Sequence, residues 1–244
     1  MKLINQGEWI KSPNKKFSET VVFVPFFFGK KQHMKRHAQF MSELGYDSVI
    51  FNLSYKIPRV LSRMKTSYKL GWGIKHVWTK EISQILDTIS GDKIIYAFSN
   101  PTSAALEAIA LRSAKDIKAL ICDGGPFYDL LKCNWNFFTH AKPQKNSFKK
   151  IAWNVYARTI WTIDHEKELY RDLNALPKDF PVLSIRGWQD LLVPPSAIEK
   201  AFQNHDQLDL EILNLPEGGH LDGLKNFPEI YRPRVTEFLE SVSK

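Results

Sequence analysis

The chain has 244 residues, of which 43% are hydrophobic, 25% charged and 13% aromatic. That is the profile of a folded globular protein, not of a disordered or fibrous one. Its two cysteines, Cys122 and Cys133, supply neither a disulfide framework nor a four-ligand zinc site. The longest apolar run, 21–28, is far short of the roughly 20 residues that span a bilayer, and the first sixteen residues contain no apolar stretch of signal-peptide type. A soluble, cytoplasmic protein is expected. The unusual number is the net charge of +8, from 34 basic and 26 acidic residues, which alone would invite a nucleic-acid or membrane-surface reading.

In chain order, the first twenty residues read as an edge hairpin or an irregular lead-in. Residues 21–24 (VVFV) form the first short apolar run, followed by a loop, Pro25-Phe26-Phe27-Phe28-Gly29, and a helical pattern over 34–44. The runs 48–51 (SVIF) and 93–96 (KIIY) enclose a second helical pattern over 78–89, in which Ile82, Ile85, Leu86 and Ile89 share a face. An Ala- and Leu-rich helix over 104–112 leads to the run 119–122 (ALIC). After a long interval come 181–185 (PVLSI), a helix over 197–202, 210–213 (LEIL) and a last helix over 230–242. Runs apolar at nearly every position suit strands buried on both faces of a parallel sheet. Their alternation with helices predicts an α/β fold, a doubly wound, mostly parallel sheet with right-handed crossovers. In such sheets the ligand site lies beyond the carboxyl ends of the strands.

One interval breaks the alternation. Residues 127–175 are aromatic and basic, with no buried strand and a helical second half, and read as a cap inserted between core segments 1–126 and 176–244. The other reading is a long crossover packed on one face of the sheet.

Three residues sit just past strand ends. Ser99 stands on a strand-to-helix turn, Ala97-Phe98-Ser99-Asn100-Pro101; Asp190 lies in the loop Gly187-Trp188-Gln189-Asp190; His220 follows Glu217-Gly218-Gly219. A side chain held out at a tight turn needs compact residues two places to either side, and Ala97 and Pro101 fill those places. In this order and strand context the chain resembles the α/β-hydrolase superfamily, from about residue 21 to the end. The segments Gly187-x-x-Asp190-x-x-Val193-Pro194 and Gly218-Gly219-His220 are the most specific matches, and the elbow, with Ala and Pro for the usual glycines, is the least.

The resemblance implies a serine hydrolase acting through an acyl-enzyme on a carboxylic ester with an apolar acyl group. Ser99 would be the nucleophile, His220 the general base and Asp190 the acid that fixes the imidazole. Asp123, at the end of another strand, is a rival for the acid. The oxyanion hole would use the backbone N–H of Asn100 and of Phe27, with Phe28 next in line. Phe26, Phe28 and Phe98 would line the substrate pocket. Phe26 stands where relatives have glycine, so a non-catalytic binding protein on the same fold is the alternative.

His33 and His37, four apart among Lys30, Lys31, Lys35 and Arg36, read as a solvated basic helix and not as a metal site. No phosphate loop or dinucleotide fingerprint is present, so no cofactor and no metal is expected. The tryptophans Trp72, Trp78, Trp135, Trp153 and Trp161, with Phe137 and Phe138, read as core and cap packing. The charge excess is regional: eleven basic residues against two acids over 30–80, and six against none over 130–163. Both segments can border a pocket mouth, where the field would steer an anionic acyl ester; solvated helix faces are the alternative, and no nucleic-acid partner is expected.

Overall fold

The structure, a computed structural model, describes residues 7–55, 64–65, 70–71, 73–162 and 164–243, with backbone alone at 64–65 and 70–71. Lys56, Arg59, Arg63, Lys69 and Trp72 lie outside the described residues. β1 (Glu8–Ile10) pairs antiparallel with β3 (Asp47–Ile50), so among the described residues the lead-in gives one edge strand followed by an irregular stretch to β2. β2 (Thr20–Val24), β3, β6 (Lys93–Phe98), β7 (Ile117–Asp123), β8 (Phe180–Gly187) and β9 (Leu208–Leu215) run parallel, giving the order β1-β3-β2-β6-β7-β8-β9. A separate two-stranded ribbon pairs β4 (Met64–Lys65) with β5 (Leu70–Gly71).

From β2 the chain steps outward to β3, then crosses back to β6 on the other side of β2 and continues in one direction. With crossovers of one hand, that reversal sends helices to opposite faces. α1 (Lys31–Leu44), the one-turn α8 (Gly223–Asn226) and α9 (Pro228–Val242) cover one face, where Met34, Met41, Leu224, Tyr231 and Phe238 pack with Phe23 and Tyr96. α2 (Ile74–Asp87), α3 (Thr102–Leu111) and α7 (Pro195–Phe202) cover the other, with Trp78, Ile82, Ala105 and Ile198 against Val22 and Ile95. β2 and β6 are buried at every position, as the unbroken apolar runs predict. β9 is different: it closes the sheet as an edge strand with Asp209 and Ile212 exposed.

The interval after β7 contains α4 (Leu130–Asn136), a π-helical turn (Phe137–Ala141), α5 (Ser147–Trp161) and α6 (His165–Asn174). The first three lie over the carboxyl ends of the strands and line the cavity described below. α6 does not: its Leu169 and Leu173 are buried in the core cluster on the α2–α3 face. Under it lies an ionic cluster. The Lys75 Nζ is 2.8 Å from Asp172, 3.1 Å from Glu168 and 3.6 Å from Glu107, and His76 Nδ1 is 2.9 Å from Glu107. Lys75 therefore adds nothing to the surface field of its basic segment, and Lys31 and Lys35 are paired with Glu8.

His37 is another departure from the reading of a solvated basic helix. It is buried, its ring lies 4.8 Å from that of Phe98, and burial pushes its pKa down to about 3. Among the described residues no group of His, Cys, Asp or Glu has metal-site geometry, and no helix is long and apolar enough to cross a membrane. Trp78 and Trp161 are core residues, but Trp135 and Trp153 are exposed.

Candidate active site

Ser99 leaves β6 with φ of +53°, a left-handed conformation that costs a non-glycine residue energy and persists only where the surroundings impose it. Two neighbours impose it. The Ser99 N–H donates to the carbonyl of Asp123 at 2.8 Å, and Thr102 N–H, in the first turn of α3, donates to the Ser99 carbonyl at 3.1 Å. The loop after β7 passes directly beneath: a Cβ on Gly125 would lie 2.4 Å from the Ser99 carbonyl oxygen, so only glycine fits. Ser99 thus stands at the N-terminus of a ten-residue helix with no acidic residue in its first turn, where the helix dipole favours negative charge.

Asp190 and His220 are brought together by adjacent strands. The Nδ1 of His220 lies 2.6 Å from Asp190 Oδ2, while the other carboxylate oxygen accepts from the N–H groups of Leu192 and Val193 at 2.8 and 2.9 Å. The carboxylate is buried and the imidazole partly exposed. Backbone bonds lock the two loops to each other: Trp188 N–H to the Leu215 carbonyl at 2.9 Å and Gln189 N–H to that of Gly218 at 2.8 Å. Gly187 lies so close to the partner loop that an added Cβ would sit 2.4 Å from the Gly219 carbonyl oxygen. Gly187→Ala is therefore expected to destabilise the protein by about 1–3 kcal/mol, the usual range for overpacking, seen as a lower urea midpoint with an unchanged m-value.

No hydrogen bond or ion pair joins Asp123 to His220 among the described residues. Its carboxylate accepts from Tyr231 Oη at 2.6 Å, and Tyr231 is bonded in turn to Tyr96. Burial raises the Asp123 pKa to about 6 against the opposing effects of the Tyr231 hydrogen bond and the His220 charge. Of the two acids weighed from the sequence, the imidazole meets Asp190.

Ser99 and His220 line one cavity of about 650 Å3, although no hydrogen bond joins their side chains. Its walls are mainly apolar and rich in aromatic rings, with Phe26, Phe27 and Phe28 from the loop after β2, and Phe137, Trp153 and Tyr156 from the covering helices. Lys142 reaches the same cavity, its Nζ 4.1 Å from the centre of the Phe28 ring. Phe98, expected in the pocket, is not there. Strand alternation turns it to the α1 face, 1% exposed and stacked on Tyr96.

The two backbone N–H groups expected to form the oxyanion hole, those of Phe27 and Asn100, make no hydrogen bond among the described residues. That of Phe28 is taken by the Tyr55 hydroxyl at 2.6 Å, which removes the second choice for this role. Sequence reading missed Tyr55 because it lies in an unpatterned stretch after β3, with no motif to mark it. Phe28 also adopts a left-handed conformation, φ +63°, so this loop is held in its bend without glycine at positions 26–28.

With this geometry established, comparison with solved structures gives the fold its class. An esterase from Pyrococcus furiosus superposes with a TM-score of 0.68 at 17% identity, covering 98% of this chain and 86% of that one. A hydrolase from Oleispira antarctica gives 0.67 at 12% identity, covering 97% and 94%, and mouse alpha/beta hydrolase domain-containing protein 10 gives 0.61 at 17%, covering 97% and 94%. The chain has the α/β-hydrolase fold. No protein-family model matches the sequence, and no curated protein matches it either.

Proposed function

We propose that the protein is a serine hydrolase that cleaves a carboxylic ester with an apolar acyl group through an acyl-enzyme on Ser99. The observation that carries this reading is the cavity shared by Ser99, on its strained turn, and His220, bonded to the buried Asp190. The Asp190 carboxylate accepts from His220 Nδ1, which leaves Nε2 as the basic nitrogen facing the cavity. His220 takes the hydroxyl proton as Ser99 Oγ adds to the ester carbonyl. The tetrahedral oxyanion is met by the N–H groups of Phe27 and Asn100 at the positive end of α3. The imidazolium then protonates the departing alkoxide, leaving an acyl-serine. Water, deprotonated by the same nitrogen, attacks that acyl group and releases the carboxylic acid, and Ser99 recovers its proton.

The apolar walls suit an acyl chain, and Lys142 at the cavity favours an anionic group on the substrate. Several similar structures carry the names esterase or hydrolase, which supports this reading and the expectation of a small-molecule ester substrate. The helices over 130–161 act here as a cap. The missing Ser99–His220 hydrogen bond is compatible with catalysis, because such bonds often tighten only when substrate is bound.

The test is labelling by a fluorophosphonate probe together with hydrolysis of p-nitrophenyl butyrate. Covalent labelling that maps to Ser99 and is lost in Ser99→Ala is expected. Folded wild-type protein that neither labels nor hydrolyses the ester would overturn the proposal in favour of a non-catalytic binding protein.

A further inference from the structure

α5 carries two apolar faces. One, with Trp153, Tyr156 and Ile160, lines the cavity. The other, about a third of a turn away around the helix, consists of Phe148, Ile151 and Val155, spaced three and four apart so that they form one stripe. These three are 84%, 51% and 58% exposed. On the neighbouring α4, Leu131 and Trp135 are exposed as well. Contiguous apolar surface of this kind marks a contact site.

The charge around the stripe has one sign. Residues 130–163 hold six Lys and Arg and no Asp or Glu, and none of these six cations is ion-paired among the described residues. Lys132, Lys145 and Lys149 are exposed, and Lys150 lies over the Trp135 ring at 3.9 Å. A helix with an exposed apolar stripe flanked by uncompensated lysines has the make-up of one that lies in a lipid headgroup layer, apolar side down. Anionic lipid adds about 1 kcal/mol of attraction per lysine near the surface. A nucleic acid would engage the cations but leave Phe148, Ile151 and Val155 without a partner.

We propose that this face of α4 and α5 docks on an anionic lipid surface, and that the site draws its acyl ester from that surface through the adjoining cavity. The second part rests on ester hydrolysis at Ser99; the first does not.

The experiment therefore has two readouts. Sedimentation with phosphatidylcholine vesicles, with and without phosphatidylglycerol, measures docking, and p-nitrophenyl butyrate in free solution measures the chemistry. Wild type is expected to bind the anionic vesicles at least about tenfold more tightly than the neutral ones. Phe148→Ser/Ile151→Ser/Val155→Ser and, separately, Lys132→Glu/Lys145→Glu/Lys149→Glu are expected to lose that binding by about tenfold or more. Both should hydrolyse the soluble ester within about twofold of wild type, since none of these side chains lines the cavity. Docking is overturned if wild type ignores anionic vesicles, binds neutral ones equally, or is unaffected by either triple substitution. It is overturned equally if the stripe proves to be a self-contact, with a dimer that the serine variant abolishes and no vesicle binding. Vesicle binding without any ester hydrolysis would uphold docking and sink the hydrolase reading alone.

Discussion

Ser99→Ala is expected to lower kcat for ester hydrolysis by a factor on the order of 10⁶, the loss seen when a serine nucleophile acting with a histidine is removed, while the unfolding midpoint stays near that of wild type. The two parts of this result belong together. Ser99 is buried and strained, but its backbone contacts with Asp123 and Thr102 do not involve the hydroxyl, so alanine removes only the reacting group. Asp190→Asn is expected to cost a smaller factor, on the order of 10⁴. An amide in place of Oδ2 would donate to His220 Nδ1, forcing the ring proton onto Nε2 and leaving the cavity without a base. Asp123→Asn serves as the control. Asp123 is hydrogen-bonded to Tyr231 and acts on His220 through its charge alone, so its loss should leave the reaction within about tenfold of wild type. If Asp123→Asn is the more damaging of the two, the assignment of the acid is reversed.

The second large effect is on stability. Lys75→Met is expected to destabilise the protein by about 3–5 kcal/mol, the cost of removing one partner from a buried ionic group, read as a lower urea midpoint. Lys75 is wholly buried and meets three carboxylates from two helices. Without it, Asp172 loses its Lys75 partner and His76 is left facing Glu107 and Glu168. The same cluster gives the native protein a pH dependence. Burial lowers the His76 pKa, but its hydrogen bonds to Glu107 and Glu168 outweigh that and hold it near 9, against 6.5 when unfolded. Its contribution is fully present below pH 6.5 and is lost as pH rises through about 9. Stability should therefore fall across that window in wild type and fall less steeply in His76→Gln. A flat profile in wild type would mean that His76 is neutral in the cluster.

Much of this was legible in the sequence, for a physical reason. Strands 21–24 and 93–96 are apolar at successive positions because both faces of the sheet are covered, and that density survives any uncertainty in their ends. Ser99, Asp190 and His220 stood out because each follows such a run. What escaped was contact between distant parts of the chain. Nothing near His165 indicates that α6 belongs with the core, because its buried Asp172 is stabilised by a lysine 97 residues earlier. His37 looked solvated among its basic neighbours; it is buried between Phe98 and Tyr231 of α9, far along the chain. Phe98 failed for the opposite reason: its position was right, but the two-residue period of a strand decides which side it takes.

The lock between the loops carrying Asp190 and His220 has a wider meaning. Their spacing is fixed by β8, β9 and the bonds from Trp188 and Gln189, none of which involves the covering helices. The covering helices meet this pair of loops at one recorded hydrogen bond, from Asn136 Nδ2 to the Leu192 carbonyl at 3.4 Å. Substitutions over 130–161 other than at Asn136 can therefore reshape the cavity without touching the bonds that position the imidazole, so that on the hydrolase reading substrate preference can change while the chemistry stays in place.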